Sequence, residues 1–158
     1  MMPYGERNLL ALISFIYGDD ILRNPTATSI AERAIICPKN ETVDQINGMV
    51  HATLHAGSTT YRSTDSMVPC SQNGVETDAM YPTEYLNVLN FPGIPGHCLE
   101  VTKNSPIMLM RNMDPKNGLC NGTRLLVSQL FPRVIEARII TGTSVGHRVY
   151  IPRINFYT

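Results

Sequence analysis

The 158 residues contain no G-x-x-x-x-G-K-[ST] run. Lysine is scarce, and none of Lys39, Lys103 and Lys116 follows a glycine. Such a run lets backbone amides cradle phosphates while its lysine meets the terminal ones, so hydrolysis of a nucleotide through a P-loop is excluded for this chain. The four cysteines, Cys37, Cys70, Cys98 and Cys120, form no C-x-x-C pair. A structural zinc site usually takes two ligands from one tight turn, and this spacing argues against one. The opening MMPYGER has an acid and no basic n-region. No signal peptide is therefore expected, and an intracellular chain with reduced cysteines follows, with Cys37 buried in a strand. The longest apolar run, LLALISFIY over 9–17, is broken by Ser14 and is too short to span a bilayer. No membrane partner is expected.

Apolar residues make up 43% of the chain and charged residues 16%, which fits a folded globular chain of about one domain. The net charge is zero but unevenly placed. Residues 1–98 carry ten acids against five cations, a balance of −5; residues 99–158 carry eight cations against three acids, a balance of +5. That asymmetry suggests two structural units, the second able to meet an anion.

Leu9, Leu10, Ile13, Phe15, Ile16 and Tyr17 gather on one side of a 3.6-residue wheel, predicting a helix over 6–17 that Gly18 ends. Asp19 and Asp20, after an apolar stretch, could hold magnesium at a strand end; the helical spacing before them favours a solvated helix end instead. A helical turn over 28–33 leads to AIIC, 34–37, an all-apolar run before Pro38 with the pattern of a strand buried on both faces of a parallel sheet. In KNETVDQINGMVHATLHAG, Asn40 is the expected N-cap, with Glu41 and Asp44 in the first turn. Val43, Ile46, Val50 and Leu54 form the buried stripe, and Gly57 the stop. TTYRSTDSM reads as a further strand, SQNGVETD as a loop, and PTEYLNVLN as a short helix with Pro82 near its first position.

After FPGIPGHC the texture changes. LEVTKN, PIMLMRN, TRLLVSQL, RVIEARIIT and HRVYIPRI are five short strand candidates, the last two joined as a hairpin by GTSVG. Five such strands predict a small barrel of SH3-like or OB-like type, with Pro106 and Pro152 at strand ends or edges.

His51 and His55 share a helix face, but Ala52 stands where a zinc-protease motif needs Glu, and a third ligand is not apparent. The scattered histidines and cysteines support no Ser-His-Asp or Cys-His set. Cations are the stronger signal. Arg111, Lys116, Arg124, Arg133, Arg138, Arg148 and Arg153 could neutralise phosphates, and Tyr150 and Phe156 could offer stacking faces. In PIMLMRNMDPKNGLCNGTRLLV, two apolar runs flank Arg111, Asn112, Lys116, Asn121 and Arg124 together with two Asn-Gly pairs. Either this is a polar turn or it is a surface that meets a polyanion. Arg111 and Arg124 could face that polyanion or pair with Asp114 and Glu136.

ERAIICPKNETVDQIN, YPTEYLNVLNFPGIPGHCLEV, PIMLMRNMDPKNGLCNGTRLLV and VIEARIITGTSVGHRVYIPRI together resemble the PIF (petite integration frequency) family of DNA helicases. The likeness runs from about residue 9 to 154 and is nearest to the helicases of plant genomes and Helitron transposons. It implies an α/β fold, a partial second RecA-like motor domain over 1–84, followed by a small SH3-like β-barrel over 85–154, the subdomain inserted in that motor. It implies a nuclear protein whose complete relatives use ATP and magnesium to move 5′ to 3′ on single-stranded DNA. The family's Walker A and B motifs lie upstream of the matching region and its later motor motifs downstream. This chain has neither, so it is expected to resemble the middle of a helicase, to hold no cofactor itself and to hydrolyse no ATP alone. Its expected partners are single-stranded DNA and the remaining motor segments. The candidate nucleic-acid-binding residues are then Lys39, Asn40, Arg111, Asn112, Lys116, Asn121 and Arg124, with Asn121-Gly122 supplying turn geometry first. The family usually has glycine where Asn104 precedes Ser105-Pro106, so Asn104 is expected at positive φ. Two other identities remain open: a non-catalytic nucleic-acid-binding module, and an inert relic of a transposon gene.

Overall fold

A computed structural model describes residues 4–54, 57–67, 81–91 and 93–157, with side chains from residue 8 onward. It mixes helices with antiparallel sheets and divides into two compact units. One joins Met1–Ser58 to Thr102–Arg153; the other joins Thr59–Val101 to Ile154–Thr158.

In the first unit, α1 spans Tyr4–Arg23, α2 Ala27–Ala31 and α3 Asn40–Thr53. Gly18 breaks α1 as expected: its backbone is not helical, and the helix that precedes it is followed by a separate helical turn. At φ 64° and ψ 156° Gly18 turns the chain between the two, and the second is anchored by buried Leu22. Asp19 and Asp20 are exposed there. Ile13 and Leu22 pack with Ile46 of α3 in a small apolar core, flanked by Leu9, Tyr17, Ile35, Cys37, Met49 and Val50. α2 is short but well capped. Thr26 Oγ1 accepts from Ser29 N at 3.2 Å and Ser29 Oγ accepts from Thr26 N at 3.0 Å, satisfying two otherwise orphaned donors.

Three expectations are corrected here. Lys39, not Asn40, is the N-cap of α3, and it offers no side-chain acceptor; Asn40 is already helical. The helix closes at Thr53 with Leu54 extended, before Gly57 is reached. AIIC is not a strand. No ladder partner lies beside it among the described residues, and an unpaired segment earns no strand hydrogen bonds. Instead Ile35 and Cys37 turn toward the helical core while Ile36 is 93% exposed. Cys37 is therefore half-buried in a connection.

The same unit holds four strands, β3 Pro106–Met108, β4 Arg124–Leu130, β5 Val134–Ile139 and β6 Arg148–Pro152, paired antiparallel in that order. Leu125 faces Ile139 and Val127 faces Ala137 across one pair; Ala137 faces Val149 and Ile135 faces Ile151 across the next. A register shift between Val127 and Gln129 bends β4. Leu109, Leu119, Leu125, Ala137 and Ile139 form the core of one sheet face, with Ile107, Met113, Val149 and Ile151 packed on it. The expected closed barrel is not seen. β3 and β6 are the outer strands, and no pairing joins them among the described residues. Pro106 and Pro152 stand on those outer strands, where a missing N–H cannot extend a ladder.

Asn104 has φ 66°, the one non-glycine positive φ among the described residues, and its N–H donates to Val127 O at 2.9 Å. Asparagine tolerates this region; a residue with a plain Cβ pays about 1–2 kcal/mol for it. Asn104→Ala is thus expected to lower stability in urea titration by about 1 kcal/mol, and Asn104→Gly to leave it nearly unchanged. Equal losses in both variants would show that the side chain, not the φ angle, matters.

β1 Ser58–Arg62 pairs with β2 Cys98–Thr102, and all of both strands but Ser58 and Thr102 belongs to the second unit. Ser63 N extends the pairing to His97 O at 2.8 Å. α4 is the single turn Thr83–Leu86 capped by Pro82, and Tyr81 stacks on Tyr85 with ring centres 5.6 Å apart. The expected SQNGVETD loop, His55 and Cys70 lie outside the described residues. Among the described residues no helix is long and apolar enough to cross a membrane.

Candidate nucleic-acid interface

Between β3 and β4 the chain makes an excursion, residues 109–123, that holds its own shape. Its two ends are clipped together: Leu109 N donates to Thr123 O at 2.9 Å and Gly122 N to Leu109 O at 2.8 Å. Midway, Asp114 and Leu119 form a bridge around the 3-10 turn Pro115–Asn117. Thr123 Oγ1 ties the base, donating to Gly118 O at 2.9 Å and accepting from Cys120 N at 3.1 Å. The two Asn-Gly pairs supply the reversals, with φ 81° at Gly118 and 86° at Gly122. Gly118 is doubly constrained, since a Cβ there would stand 2.9 Å from Ser144 Oγ.

Buried Leu109 and Leu119 pin this excursion to the core face of the sheet. The residues between them are displaced outward, leaving Arg111, Asn112, Lys116 and Asn121 exposed. Asn112 and Asn121 meet directly: Asn121 N donates to Asn112 Oδ1 at 2.8 Å. Asp114 is half-buried and accepts from the Asn117 amide. Four of the seven sequence-predicted residues therefore share one rigid projection. Lys39 and Asn40 stand apart from it, exposed at the start of α3.

Arg124 points elsewhere. Its Nη2 donates to Ile30 O at 2.9 Å and Arg33 O at 3.1 Å, and its Nη1 to Ala31 O at 3.2 Å. It thus caps the C-terminal end of α2, where unsatisfied carbonyls and the helix dipole favour a cation. Burial pushes the nearby Tyr17 phenol above its ordinary range, and the Arg124 charge pulls it partly back. The pairing left open for Glu136 is with Arg148, at 3.5 Å. The phase of TRLLV carried a hint of this arrangement. Arg124 alternates with buried Leu125, so it belongs to the face opposite the sheet core.

Two further constellations bear on chemistry. A cavity of about 80 Å³ lies among Tyr17, Leu22, Ile30, Cys37, Ile46 and Pro106; small-molecule pockets are several times larger, so it is a packing gap too small for a nucleotide. In the second unit, His97 Nδ1 is 2.9 Å from Ser63 Oγ and 3.1 Å from Asp65 Oδ2. A nucleophilic relay needs the serine and the acid on opposite ring nitrogens. Here both sit at Nδ1, and Ser63 Oγ donates to Asp65 directly at 2.9 Å. The cluster staples the end of β1 to the residue before β2. His51 Nε2 is likewise engaged, hydrogen-bonded to the fully buried Thr102 hydroxyl. Among the described residues no three His, Cys, Asp or Glu side chains converge as metal ligands.

Residues 84–130 match the family described as DNA helicase Pif1, 2B domain. The matched span contains the whole 109–123 excursion and Asn104. No match was found among curated proteins.

Proposed function

We propose, from the premise that this chain carries the 2B segment of a PIF-type DNA helicase, that it is part of an ATP-dependent 5′ to 3′ helicase and serves to grip single-stranded DNA. On this reading the β3–β6 sheet with its excursion is the SH3-like inserted subdomain, in open rather than closed form, and the helices α1–α3 are the start of the second motor domain. ATP and magnesium act in a complete helicase and not on this chain, which has no P-loop. The nucleus is the corresponding compartment. The single observation that carries the reading is the excursion itself: a self-bonded projection, inside the matched span, that holds Arg111, Asn112, Lys116 and Asn121 out to solvent. A guanidinium, an ammonium and amide groups on a pre-shaped loop suit phosphate and base edges, and their order is set before a strand arrives.

The test is fluorescence anisotropy of a labelled single-stranded oligonucleotide at several salt concentrations. Binding is expected to weaken steeply with salt, by about 0.7 in log K per log salt for each phosphate neutralised. The Arg111→Ala/Lys116→Ala pair should weaken it and flatten that slope. A folded chain that binds no oligonucleotide at low salt would sink the proposal. Magnesium-dependent ATP turnover by the purified chain would sink its division of labour.

A further inference from the structure

The antiparallel register of β5 and β6 sets Arg138 directly opposite Arg148. Side chains so placed have Cβ atoms roughly 4.5–5.5 Å apart, and like charges there repel. One carboxylate answers them. Glu136, on the same face two residues before Arg138, holds Arg148 Nε at 3.5 Å. Glu136 is buried, and the Arg148 side chain remains 57% exposed. Arg138 is exposed and has no ion pair among the described residues. One carboxylate against two guanidiniums leaves this face a net cation. Opposite Glu136, in the next rank of the same face, stands Tyr150, 55% exposed.

This face is not the one that carries the excursion. Leu109 and Leu119 pack with Ala137 and Ile139, whose side chains alternate with Glu136 and Arg138. Arg124 belongs to the Arg138 side, but its guanidinium is held by α2; at the β5–β6 end of that side Arg138, Arg148 and Tyr150 are exposed around the buried Glu136. The arrangement is therefore a repelling cation pair and an aromatic ring side by side on two neighbouring strands.

We infer that the outer face of β5 and β6 is a second single-strand contact, in which Arg138 and Arg148 take a phosphate between them and the Tyr150 ring stacks on a base. The inference rests on the proposed DNA grip and deepens it, since the chain would then meet a strand on both sides of one sheet. A phosphate placed between the two guanidiniums removes their repulsion, so the site is more stable occupied than empty. Stacking accepts any base, which fits a grip without sequence preference. Duplex DNA keeps its bases paired and cannot offer one to Tyr150.

The experiment uses the full chain with a labelled single-stranded 20-mer, its duplex form, and the variants Arg138→Gln and Tyr150→Leu. Tyr150→Leu should lower single-strand affinity about tenfold with the salt slope unchanged. Arg138→Gln should reduce the salt slope by about one phosphate while raising the urea midpoint of the free protein, because the like-charge pair is gone. Loss of affinity together with gain of stability is a combination that a purely structural arginine does not give. Retained affinity in both variants, or equal affinity of the unchanged chain for duplex, would overturn this inference and leave the excursion as the grip. No binding by the unchanged, folded chain would overturn the underlying proposal as well.

Discussion

Replacing Arg124 by methionine is expected to lower the stability of the chain by roughly 2–3 kcal/mol. Three charge-assisted hydrogen bonds go from its guanidinium to Ile30, Ala31 and Arg33 carbonyls, and a bond to a charged group contributes about 1.5–3 kcal/mol net. The three are not additive, since one side chain makes them all and the carbonyls regain some water in the variant. Methionine fills a similar volume, so the loss isolates the polar contacts from packing. Thermal unfolding should fall by about 5–10 °C for a chain of this size. Arg124→Lys is expected to recover less than half, because an ammonium on a flexible stem cannot span three carbonyls as a planar fork does. A change below about 0.5 kcal/mol, typical of a solvated surface residue, would show that the guanidinium is free in solution. That result would return Arg124 to the list of DNA contacts.

Ile139→Ala is expected to cost about 2–5 kcal/mol. Ile139 is fully buried between Leu125 and the remainder of the sheet core, and its N–H donates to His147 O at 3.0 Å. The truncation opens a cavity under the same core residues that pin the excursion, so its effect should reach Leu109 and Leu119. Ile36→Ala provides the contrast. If the connection 34–37 is unpaired and Ile36 exposed as found, that change stays within about 0.5 kcal/mol. A loss at Ile36 as large as at Ile139 would mean that AIIC is a buried strand after all. Chemical denaturation of both variants, followed by circular dichroism, decides the matter.

The contrast between those two isoleucines also shows where the sequence was legible. RVIEARIIT alternates, and alternation names both the strand and its buried side; the strand is β5, and Ala137 and Ile139 are in its core. All five strand candidates of the second half formed as β2 to β6. AIIC has no alternation to read in its composition, since every residue is apolar, and only the presence of a neighbouring ladder separates a strand from a connection. Gly18 was legible, since a glycine after the last periodic residue marks a helix stop and its backbone here is non-helical; the further helical turn that Leu22 anchors beyond it had no periodic signal of its own.

The candidate site divides in the same way. Asn112, Lys116 and Asn121 were visible because turn residues cluster between two apolar runs, and the Asn-Gly pairs deliver positive φ at Gly118 and Gly122. Asn104 was visible only through the family resemblance, which puts glycine at its place, and its φ is indeed positive. The task of Arg124 was not, because its acceptors lie more than ninety positions away in the chain. Nor was the meeting of Arg138 with Arg148, which depends on the register across the GTSVG turn and not on the composition of either strand.

The first unit is assembled from two stretches, Met1–Ser58 and Thr102–Arg153, with the interval 59–101 between them in the chain. The ends of that interval leave and return on a paired couple of strands, β1 and β2. Closing a loop costs free energy only as the logarithm of its length, about 0.6 kcal/mol for each doubling. The helices and the four-stranded sheet are therefore nearly indifferent to how much chain hangs from that doorway. The interval between those two strands can lengthen or shorten while Arg124 still finds α2.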